Sequence, residues 1–401
     1  ISYLLIDSRK LVFPSATLFF AIVTSTGNGH FYLEDLYKRG VRSFVVSAVP
    51  DLDAYPDACF YKVENVVHAM QLLAMNHRMK FHFPVVGITG SNGKTIVKEW
   101  LNFLLSPDYT IIRSPKSYNS QVGVPLSVIS INEKHNLGIF EAGISTRNEM
   151  EKLEKIIRPT IGILTNIGTA HDEGFDNLGE KIKEKLNLFA HSEILIYNKN
   201  KTVEAFINSK IKTFSWSCKE ETADVFIKIN PILDKTVLEI DYLDSKFDIK
   251  IPFQDDASIE NAIHCLMILL YLKYDFETIE HRIELLFPVE MRLKVKNGIH
   301  NSTLIDDSYS SDFQSLKIAL DSIYMDSVQL YSWESLSFNF GTGAEVQTWP
   351  GMQQGVTTSD YDYRPAYSQI PWEITSQFKF TTAVSANAET RLYILGYFQP
   401  A

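Results

Sequence analysis

This chain has few cysteines, no long apolar run and no net positive charge. Its 401 residues include three cysteines, Cys59, Cys218 and Cys265, and their spacing fits no metal motif. A sparse and odd set of this kind is typical of a reducing compartment. No apolar run approaches the roughly 18 residues that a membrane span requires. The first residues lack a basic segment ahead of an apolar one, so we expect no signal peptide and a cytoplasmic protein.

The net charge of −10 excludes a broad electrostatic grip on nucleic acid or on an anionic membrane surface. A local anion site stays possible, because backbone N–H groups at a helix N-terminus bind phosphate whatever the net charge. With 45% hydrophobic and 21% charged residues, the composition is that of a globular protein. At roughly 100 to 200 residues per domain, the length predicts two or three domains.

The composition changes near residue 321. Residues 322–401 carry only ten charged side chains, whereas the rest of the chain carries 76 of the 86. The same 80 residues hold three of the five tryptophans: Trp333, Trp349 and Trp372. Alternating apolar and polar residues with turn-forming glycines predict β-structure here. We therefore expect a boundary near residue 321 and a β-rich segment after it.

Short apolar runs alternate with helix-compatible stretches in the middle of the chain. Buried strands are predicted at 84–89, 137–140, 161–164 and 193–197, and helices at 94–105 and 258–272. Strands separated by helices imply right-handed crossovers and a largely parallel sheet. Residues 223–252 alternate between apolar and polar and predict an antiparallel patch. The sequence therefore predicts an α/β fold.

The most specific local pattern lies at residues 87–95, where a predicted strand leads through glycines into a predicted helix. Gly90 and Gly93 let the backbone of Ser91 and Asn92 curl, so that successive N–H groups point at one phosphate. Lys94 would neutralise phosphate oxygens and the Thr95 hydroxyl would hold Mg²⁺. A glycine-rich turn with a solvated lysine is the alternative, and the flanking strand and helix favour the phosphate loop.

This GxxGKT form resembles the phosphate loop of the Mur ligases, ATP-dependent enzymes that form amide bonds in peptidoglycan synthesis. Further segments resemble motifs of that family in the same order along residues 1–321. They are Asp7-Ser8-Arg9, Gly27 to His30, Ser117 to Pro125, Glu141-Ala142-Gly143, Leu164 to His171, Lys181 to Phe189 and Asp306 to Tyr309. The resemblance implies a uridine-binding domain at 1–82, a central parallel-sheet ATP-binding domain at 83–297, and a C-terminal domain at 298–401. Within the last domain, residues 298–321 resemble the ligases and 322–401 do not.

The resemblance also implies a metal site beside the phosphate loop. Glu141 and His171 follow predicted strands, and open α/β sheets bind ligands at the C-terminal ends of their strands. One Mg²⁺ would be held by Thr95 and Glu141, and a second by His171 and a carbamylated Lys185. Spacing alone would favour a hydrogen-bonded histidine at 171 and a solvated lysine at 185. Lys94, His171 and Lys185 are the catalytic residues that the resemblance implies.

Contacts to ATP and to the peptide substrate follow from the same resemblance. Asn261 would contact adenine, Arg292 the ATP phosphates, and either Asp306 or Asp307 the ribose. The other substrate contacts are expected in the N-terminal domain and in one loop of the central domain: Asp7, Ser8, Arg9, Gly29, His30, Tyr118, Asn119 and Ser120.

These features together predict an ATP-dependent ligase that acts as a monomer. The resemblance implies that it joins D-alanyl-D-alanine to UDP-N-acetylmuramoyl-tripeptide through an acyl phosphate. Two alternatives stay open. One is a nucleotide-binding protein whose ligase body has lost turnover through its altered third domain. The other is a neighbouring ligase that adds a different amino acid; the folate ligases share the central motifs but not the N-terminal ones.

Overall fold

The computed structural model describes four ranges in full: 3–25, 27–168, 174–233 and 235–289. For six later strands it describes the backbone. The first 62 residues contribute a parallel sheet whose described strands are arranged in sequential order: β1 (Tyr3–Leu5), β2 (Thr17–Phe20), β3 (Ser43–Val46) and β4 (Cys59–Lys62). Helix α1 (Leu33–Lys38) connects β2 to β3, and Leu33, Leu36, Phe19 and Phe44 are buried together on one side of the sheet.

A second sheet of nine described strands lies within residues 85–251. The strands are β5 (Val85–Thr89), β6 (Ile111–Arg113), β7 (Leu137–Glu141), β8 (Ile161–Leu164), β9 (Ile194–Asn198), β10 (Lys212–Ser217), β11 (Val225–Ile232), β12 (Lys235–Tyr242) and β13 (Ser245–Ile251). Their order across the sheet is β13-β12-β11-β10-β9-β8-β5-β7-β6, with every neighbouring pair parallel from β11 to β6 and with β12 antiparallel to both β11 and β13. The α/β fold, the parallel sheet and the antiparallel patch predicted from the sequence are confirmed.

Helices cover both faces of the central sheet. They are α2 (Val66–Arg78), α3 (Lys94–Leu105), α4 (Gly123–Ile129), α5 (Met150–Ile157), α6 (Leu178–Leu186), α7 (Lys201–Glu204), α8 (Asp256–Tyr271) and α9 (Phe276–Glu284). Alternate residues of β5 point to opposite faces: Ile88 packs with α3 and α8, whereas Val85 packs with α4, α5 and α6. Strand β5 lies between β8 and β7, so the chain changes direction across the sheet at this strand. Such a switch point is where open α/β sheets bind ligands.

Helix α2 joins the two sheets. Its Val66 and Met70 are buried against β2 and β3 residues, while its other side packs on α4 and α5. The buried guanidinium of Arg78 donates to three carbonyls: Ile157 O at 2.9 Å, Phe81 O at 2.5 Å and Arg158 O at 3.3 Å. Burial lowers the pKa of Arg78 to about 10, which still leaves it charged. Arg78 therefore fastens the C-terminal end of α2 to the end of α5.

Beyond residue 289 the described backbone consists of strands: β14 (Lys294–Asn297), β15 (Thr303–Asp306), β16 (Phe338–Asn339), β17 (Val346–Gln347), β18 (Phe378–Thr381) and β19 (Arg391–Ile394). They form one sheet in the order β14-β15-β19-β18-β16-β17, in which β15 and β19 pair in parallel. The described parts of 322–401 are thus β-strands, as the sequence predicts. In the part of the chain described here, no helix combines the length and apolar character needed to cross a membrane.

We expect Arg78→Met to lower the free energy of unfolding by about 2–3 kcal/mol, because buried carbonyls at the end of α5 lose their donor. Urea unfolding followed by tryptophan fluorescence would measure this loss. Lys80→Met, which removes an exposed cation two residues later, should change stability by less than about 0.5 kcal/mol. Equal stability of the two variants would contradict the role assigned to Arg78.

Candidate functional site

Three neighbouring strands of the central sheet end side by side and bring the candidate residues together. Ile88 pairs with Glu141 across β5 and β7, and Thr89 pairs with Leu164 across β5 and β8. The segments that follow these strands therefore begin next to one another, at the same edge of the sheet. The glycine-rich loop follows β5, Glu141 with its buried carboxylate is the last residue of β7, and the segment that leads towards residue 168 follows β8.

The glycine-rich loop has a backbone that only glycine fits. Gly90 has a φ of +152° and Gly93 a φ of +82°. A Cβ at Gly90 would lie 1.9 Å from Thr165 Oγ1, and one at Gly93 would lie 2.1 Å from Asn261 Oδ1. Gly93 is the residue that precedes α3, so the loop leads directly into a helix N-terminus. This is the strand, loop and helix arrangement that binds phosphate.

Hydrogen bonds fix the loop to the segment after β8. Asn166 is central to this: its Oδ1 accepts from the Asn92 N–H at 2.9 Å, and its backbone carbonyl accepts from the Ser91 N–H at 2.9 Å. Thr165 Oγ1 donates to Asn92 O at 2.6 Å, and the Gly168 N–H donates to Ser91 Oγ at 2.8 Å. These four hydrogen bonds hold the loop against the segment that follows β8.

Three lysines surround the start of the loop. Lys94 Nζ donates to Gly90 O at 2.8 Å and to Ser91 O at 2.9 Å, and Lys185 Nζ donates to the same Gly90 carbonyl at 3.0 Å. Lys181 Nζ, one helical turn before Lys185, donates to Gly168 O at 2.5 Å. Burial, with added repulsion from Lys94 and Lys181, holds the pKa of Lys185 well below its usual range. Lys185 is therefore buried in the site, and the solvated helix face considered from the sequence is wrong.

A buried carboxylate lies beside the first turn of α3. Glu141 is fully buried, and its Oε2 accepts from the Thr95 hydroxyl at 2.9 Å. Its Oε1 pairs with the Nζ of Lys98, which is also fully buried, at 3.1 Å. The hydroxyl and carboxylate are oxygen donors of the type that Mg²⁺ prefers. No group of three or more His, Cys, Asp or Glu side chains suited to a metal is found within the described part of the chain.

Helix α8 closes the loop from the other side. The Asn261 side chain lies against Gly93 and is almost fully buried. One turn later, His264 Nε2 donates to Thr165 O at 2.9 Å. Burial lowers the pKa of His264 to about 4, so the ring is neutral at pH 7. His264 thus supports the segment that holds the phosphate loop.

The loop at 117–120 approaches the same sheet edge. Ser117 Oγ lies 3.0 Å from Thr95 Oγ1, and the Gly143 N–H donates to Asn119 O at 2.8 Å. Ser120 Oγ accepts from the Gly123 N–H at 3.2 Å at the start of α4. Tyr118 OH accepts from Lys10 Nζ, which lies between β1 and β2, at 3.3 Å. The loop therefore lies next to the phosphate loop and also contacts the segment that precedes β2.

His30 lines a cavity of about 310 Å³ beyond the ends of β2 and β3, together with Asn28, Ser47, Val49 and Tyr55 among others. His30 Nε2 accepts from the N–H groups of Ser47 and Ala48 at 3.1 and 3.3 Å, which places the ring proton on Nδ1 beside Asn28 Oδ1. Burial lowers the pKa of His30, so its ring favours the neutral form.

The Asp7-Ser8-Arg9 segment is held by its own contacts. The Asp7 carboxylate accepts from Arg9 Nε and Nη2, each at 2.9 Å, and Ser8 O accepts from Arg39 Nη1 at 2.9 Å. Gly29 approaches the β2 end so closely that a Cβ would lie 2.8 Å from the Ala21 backbone.

Several predicted residues fall outside the described part of the chain. His171, Arg292 and Asp307 belong to this group, and their roles stay predictions. Asp306 is the last residue of β15, where only the backbone is described.

Two buried lysines of the site, Lys98 and Lys181, were not predicted as site residues. Lys98 lies three and four residues after Thr95 and Lys94, so it shares their helix face, and this spacing is a signal that could have identified it. Lys181 is one of several lysines interspersed with glutamates on α6. A single sequence does not distinguish such residues from solvated helix lysines.

Comparison with known proteins agrees with this geometry. Residues 88–269 match the family model of the Mur ligase middle domain. The chain carries a Mur ligase middle domain. Over 340 residues the chain is 28% identical to the UDP-N-acetylmuramoyl-tripeptide–D-alanyl-D-alanine ligase of Borreliella burgdorferi. The matched region covers 81% of this chain and 72% of that protein.

Solved structures of Mur ligases share the fold. A crystal structure of MurF from Acinetobacter baumannii has a TM-score of 0.71 at 22% identity and covers 80% of this chain and 71% of that one. The MurF ligase from Thermotoga maritima in complex with ADP has a TM-score of 0.70 at 21% identity and covers 80% and 74%. The α/β architecture expected from the Mur ligase resemblance is confirmed.

Gly93→Ala should weaken binding of a nucleoside triphosphate at least tenfold. The left-handed backbone costs alanine about 1–2 kcal/mol, and the new Cβ displaces Asn261. Isothermal titration with a non-hydrolysable ATP analogue would measure this. Gly40→Ala is the matched control, since Gly40 also has a positive φ, of +98°, but lies in the N-terminal domain. Equal affinity of the two variants would contradict the assignment of Gly93 to the phosphate loop.

Proposed function

We propose that this protein is an ATP-dependent ligase of peptidoglycan precursor synthesis that joins D-alanyl-D-alanine to UDP-N-acetylmuramoyl-tripeptide. The observation that carries the proposal is the phosphate loop of a Mur ligase middle domain, with a buried carboxylate hydrogen-bonded to its Thr95. The Borreliella burgdorferi ligase bears the name of this reaction and matches most of the chain. The ADP complex of the Thermotoga maritima ligase supports ATP as the nucleotide.

The chemistry requires activation of a carboxylate. A carboxylate does not react with an amine at neutral pH, so one of its oxygens must first attack the γ-phosphorus of ATP. The products are an acyl phosphate and ADP. The dipeptide amine then attacks the acyl carbon, an amide forms, and inorganic phosphate leaves. Such transfers depend on positioning and on charge neutralisation, which the loop N–H groups and Lys94 would supply.

Thr95 and Glu141 fit one Mg²⁺, because the Thr95 hydroxyl oxygen and an oxygen of the buried Glu141 carboxylate lie 2.9 Å apart in a partly buried position. A divalent cation there would offset negative charge on the transferred phosphoryl group. Lys98 occupies the other carboxylate oxygen of Glu141, so Oε2 is the oxygen that would face the cation.

The second metal position is proposed at His171 and a carbamylated Lys185. A protonated lysine offers no lone pair to a cation, whereas a carbamate adds an anionic oxygen. Lys185 suits this modification because its amine is buried in the site beside the phosphate loop.

The remaining assignments concern substrate recognition. Asn261 is proposed to contact adenine, Arg292 the ATP phosphates, and Asp306 or Asp307 the ribose. The cavity at His30, with Gly29 and the Asp7-Ser8-Arg9 segment, is proposed for the uridine part of the substrate. Tyr118, Asn119 and Ser120 would contact its peptide part. These roles correspond to domains at 1–82, 83–297 and 298–401.

A coupled assay of ADP release tests the proposal. With ATP, Mg²⁺ and UDP-N-acetylmuramoyl-tripeptide present, we expect ADP release to rise at least tenfold on addition of D-alanyl-D-alanine. The amine completes the turnover that the acyl phosphate begins. If neither the dipeptide nor any added amino acid stimulates ADP release although ATP still binds, the result would instead support a nucleotide-binding protein without turnover.

Lys94→Met should lower this release at least 10³-fold, because the γ-phosphate loses its positive partner. Lys155→Met is the matched control, since Lys155 is exposed and pairs with Glu151 one turn away on α5. It should retain full activity. Equal rates of ADP release in the two variants would contradict the role assigned to Lys94. A panel of amino acids in place of the dipeptide separates this ligase from those that add another residue.

A further inference from the structure

Lys98 is a fully buried cation with several partners from different parts of the chain. Its Nζ donates to Ser114 O at 2.8 Å and to Glu141 Oε1 at 3.1 Å, and it also donates to Lys116 O. Glu99 Oε1 lies 3.1 Å away on the outer side. A buried charge is tolerated only when its hydrogen bonds are satisfied. The position of the Lys98 ammonium is therefore set by its hydrogen bonds to Ser114, Lys116 and Glu141.

The partners of Lys98 belong to two functional segments. Glu141 is the proposed metal ligand, and Ser114 and Lys116 begin the loop that carries the proposed peptide contacts 118–120. A second route joins the same segments, because Thr95 Oγ1 contacts both Glu141 Oε2 and Ser117 Oγ. One ring of contacts thus connects α3, the end of β7 and the loop.

The loop needs such support because its backbone is strained. Lys116 has a φ of +51°, in the left-handed region that costs a residue with a side chain about 1–2 kcal/mol. Strain of this kind persists only where the surroundings fix it. Lys98 donates to the carbonyl of that same residue, so it stabilises the strained conformation directly.

We infer that Lys98 is a positioning residue that holds the Glu141 carboxylate and the loop 114–120 in one arrangement. The metal ligand and the peptide-binding loop then form as a unit, and Lys98 itself touches no substrate. The link to catalysis rests on the proposed function. The structural part of the inference, that Lys98 positions the loop in the ligand-free protein, is independent of the proposed function.

Hydrogen exchange of the ligand-free 401-residue chain tests the structural part. The Ser114, Tyr118 and Asn119 amides all donate to backbone carbonyls, so they report on the loop. In Lys98→Met we expect exchange across 114–120 to be at least tenfold faster, with strand β8 at 161–164 unchanged. Exchange at 114–120 that stays at the wild-type rate would overturn the inference, as would an equal increase in both segments.

Two further variants sharpen this test. Glu99→Gln removes the negative charge that Glu99 shares between Lys98 and Arg113 and keeps a side-chain oxygen in its place. It leaves Glu141 and the loop carbonyls in position, so it should change loop exchange less than twofold. Lys98→Arg keeps the charge. However, the N–H bonds of a guanidinium lie in one plane, so they cannot point to Ser114, Lys116 and Glu141 as the three N–H bonds of an ammonium do. If Lys98→Met does not fold, Lys98→Arg must still show faster loop exchange, and a wild-type rate there refutes the inference.

Steady-state kinetics test the link to catalysis. In a Lys98 variant, the KM for UDP-N-acetylmuramoyl-tripeptide should rise about tenfold, while the KM for ATP changes less than threefold. Faster loop exchange with an unchanged KM for the tripeptide would overturn the link between the loop and the substrate. If the wild type shows no ligase activity, the proposed function fails, and the exchange experiment still decides whether Lys98 positions the loop.

Discussion

The register of three parallel strands is the constraint on which the rest of this site depends. Because β5 lies between β7 and β8 with their ends aligned, the glycine-rich loop, Glu141 and Thr165 all begin at one edge of the sheet. A shift of one residue would turn the side chain of Glu141 to the other face of the sheet. The contact between Thr95 and Glu141 would then be lost, and with it the proposed metal position.

Positive charge around the loop explains why this site suits a triphosphate. Lys94 and Lys185 share the Gly90 carbonyl, and Lys181 lies one helical turn from Lys185. Repulsion among these amines contributes to the lowered pKa of Lys185. An anion bound at the helix N-terminus would relieve this repulsion, so part of the binding free energy would come from positive groups that the fold already places around the loop. One turn further along the same face of α3, Lys98 pairs with Glu141.

The sequence predicts the local structure of the central domain well. Strand 161–164 and helix 94–105 have the predicted bounds, because the apolar runs and the glycines before Lys94 are strong local signals. The environment of Lys185 and Lys98 could not be predicted, since the burial of a helix lysine depends on segments far away in the chain. Gly90 is 95 residues from Lys185, and Glu141 is 43 from Lys98. The contact between Asn261 and Gly93 is long-range in the same way.

Transfer of an oxygen atom from substrate to phosphate tests the central claim most directly. If the terminal carboxylate of UDP-N-acetylmuramoyl-tripeptide is labelled with ¹⁸O, the acyl phosphate route places one labelled oxygen in each inorganic phosphate released. We predict that mass spectrometry of the phosphate finds this label when ATP and D-alanyl-D-alanine are both present. Amide formation with unlabelled phosphate would contradict the account, because the carboxylate would then have been activated without phosphoryl transfer.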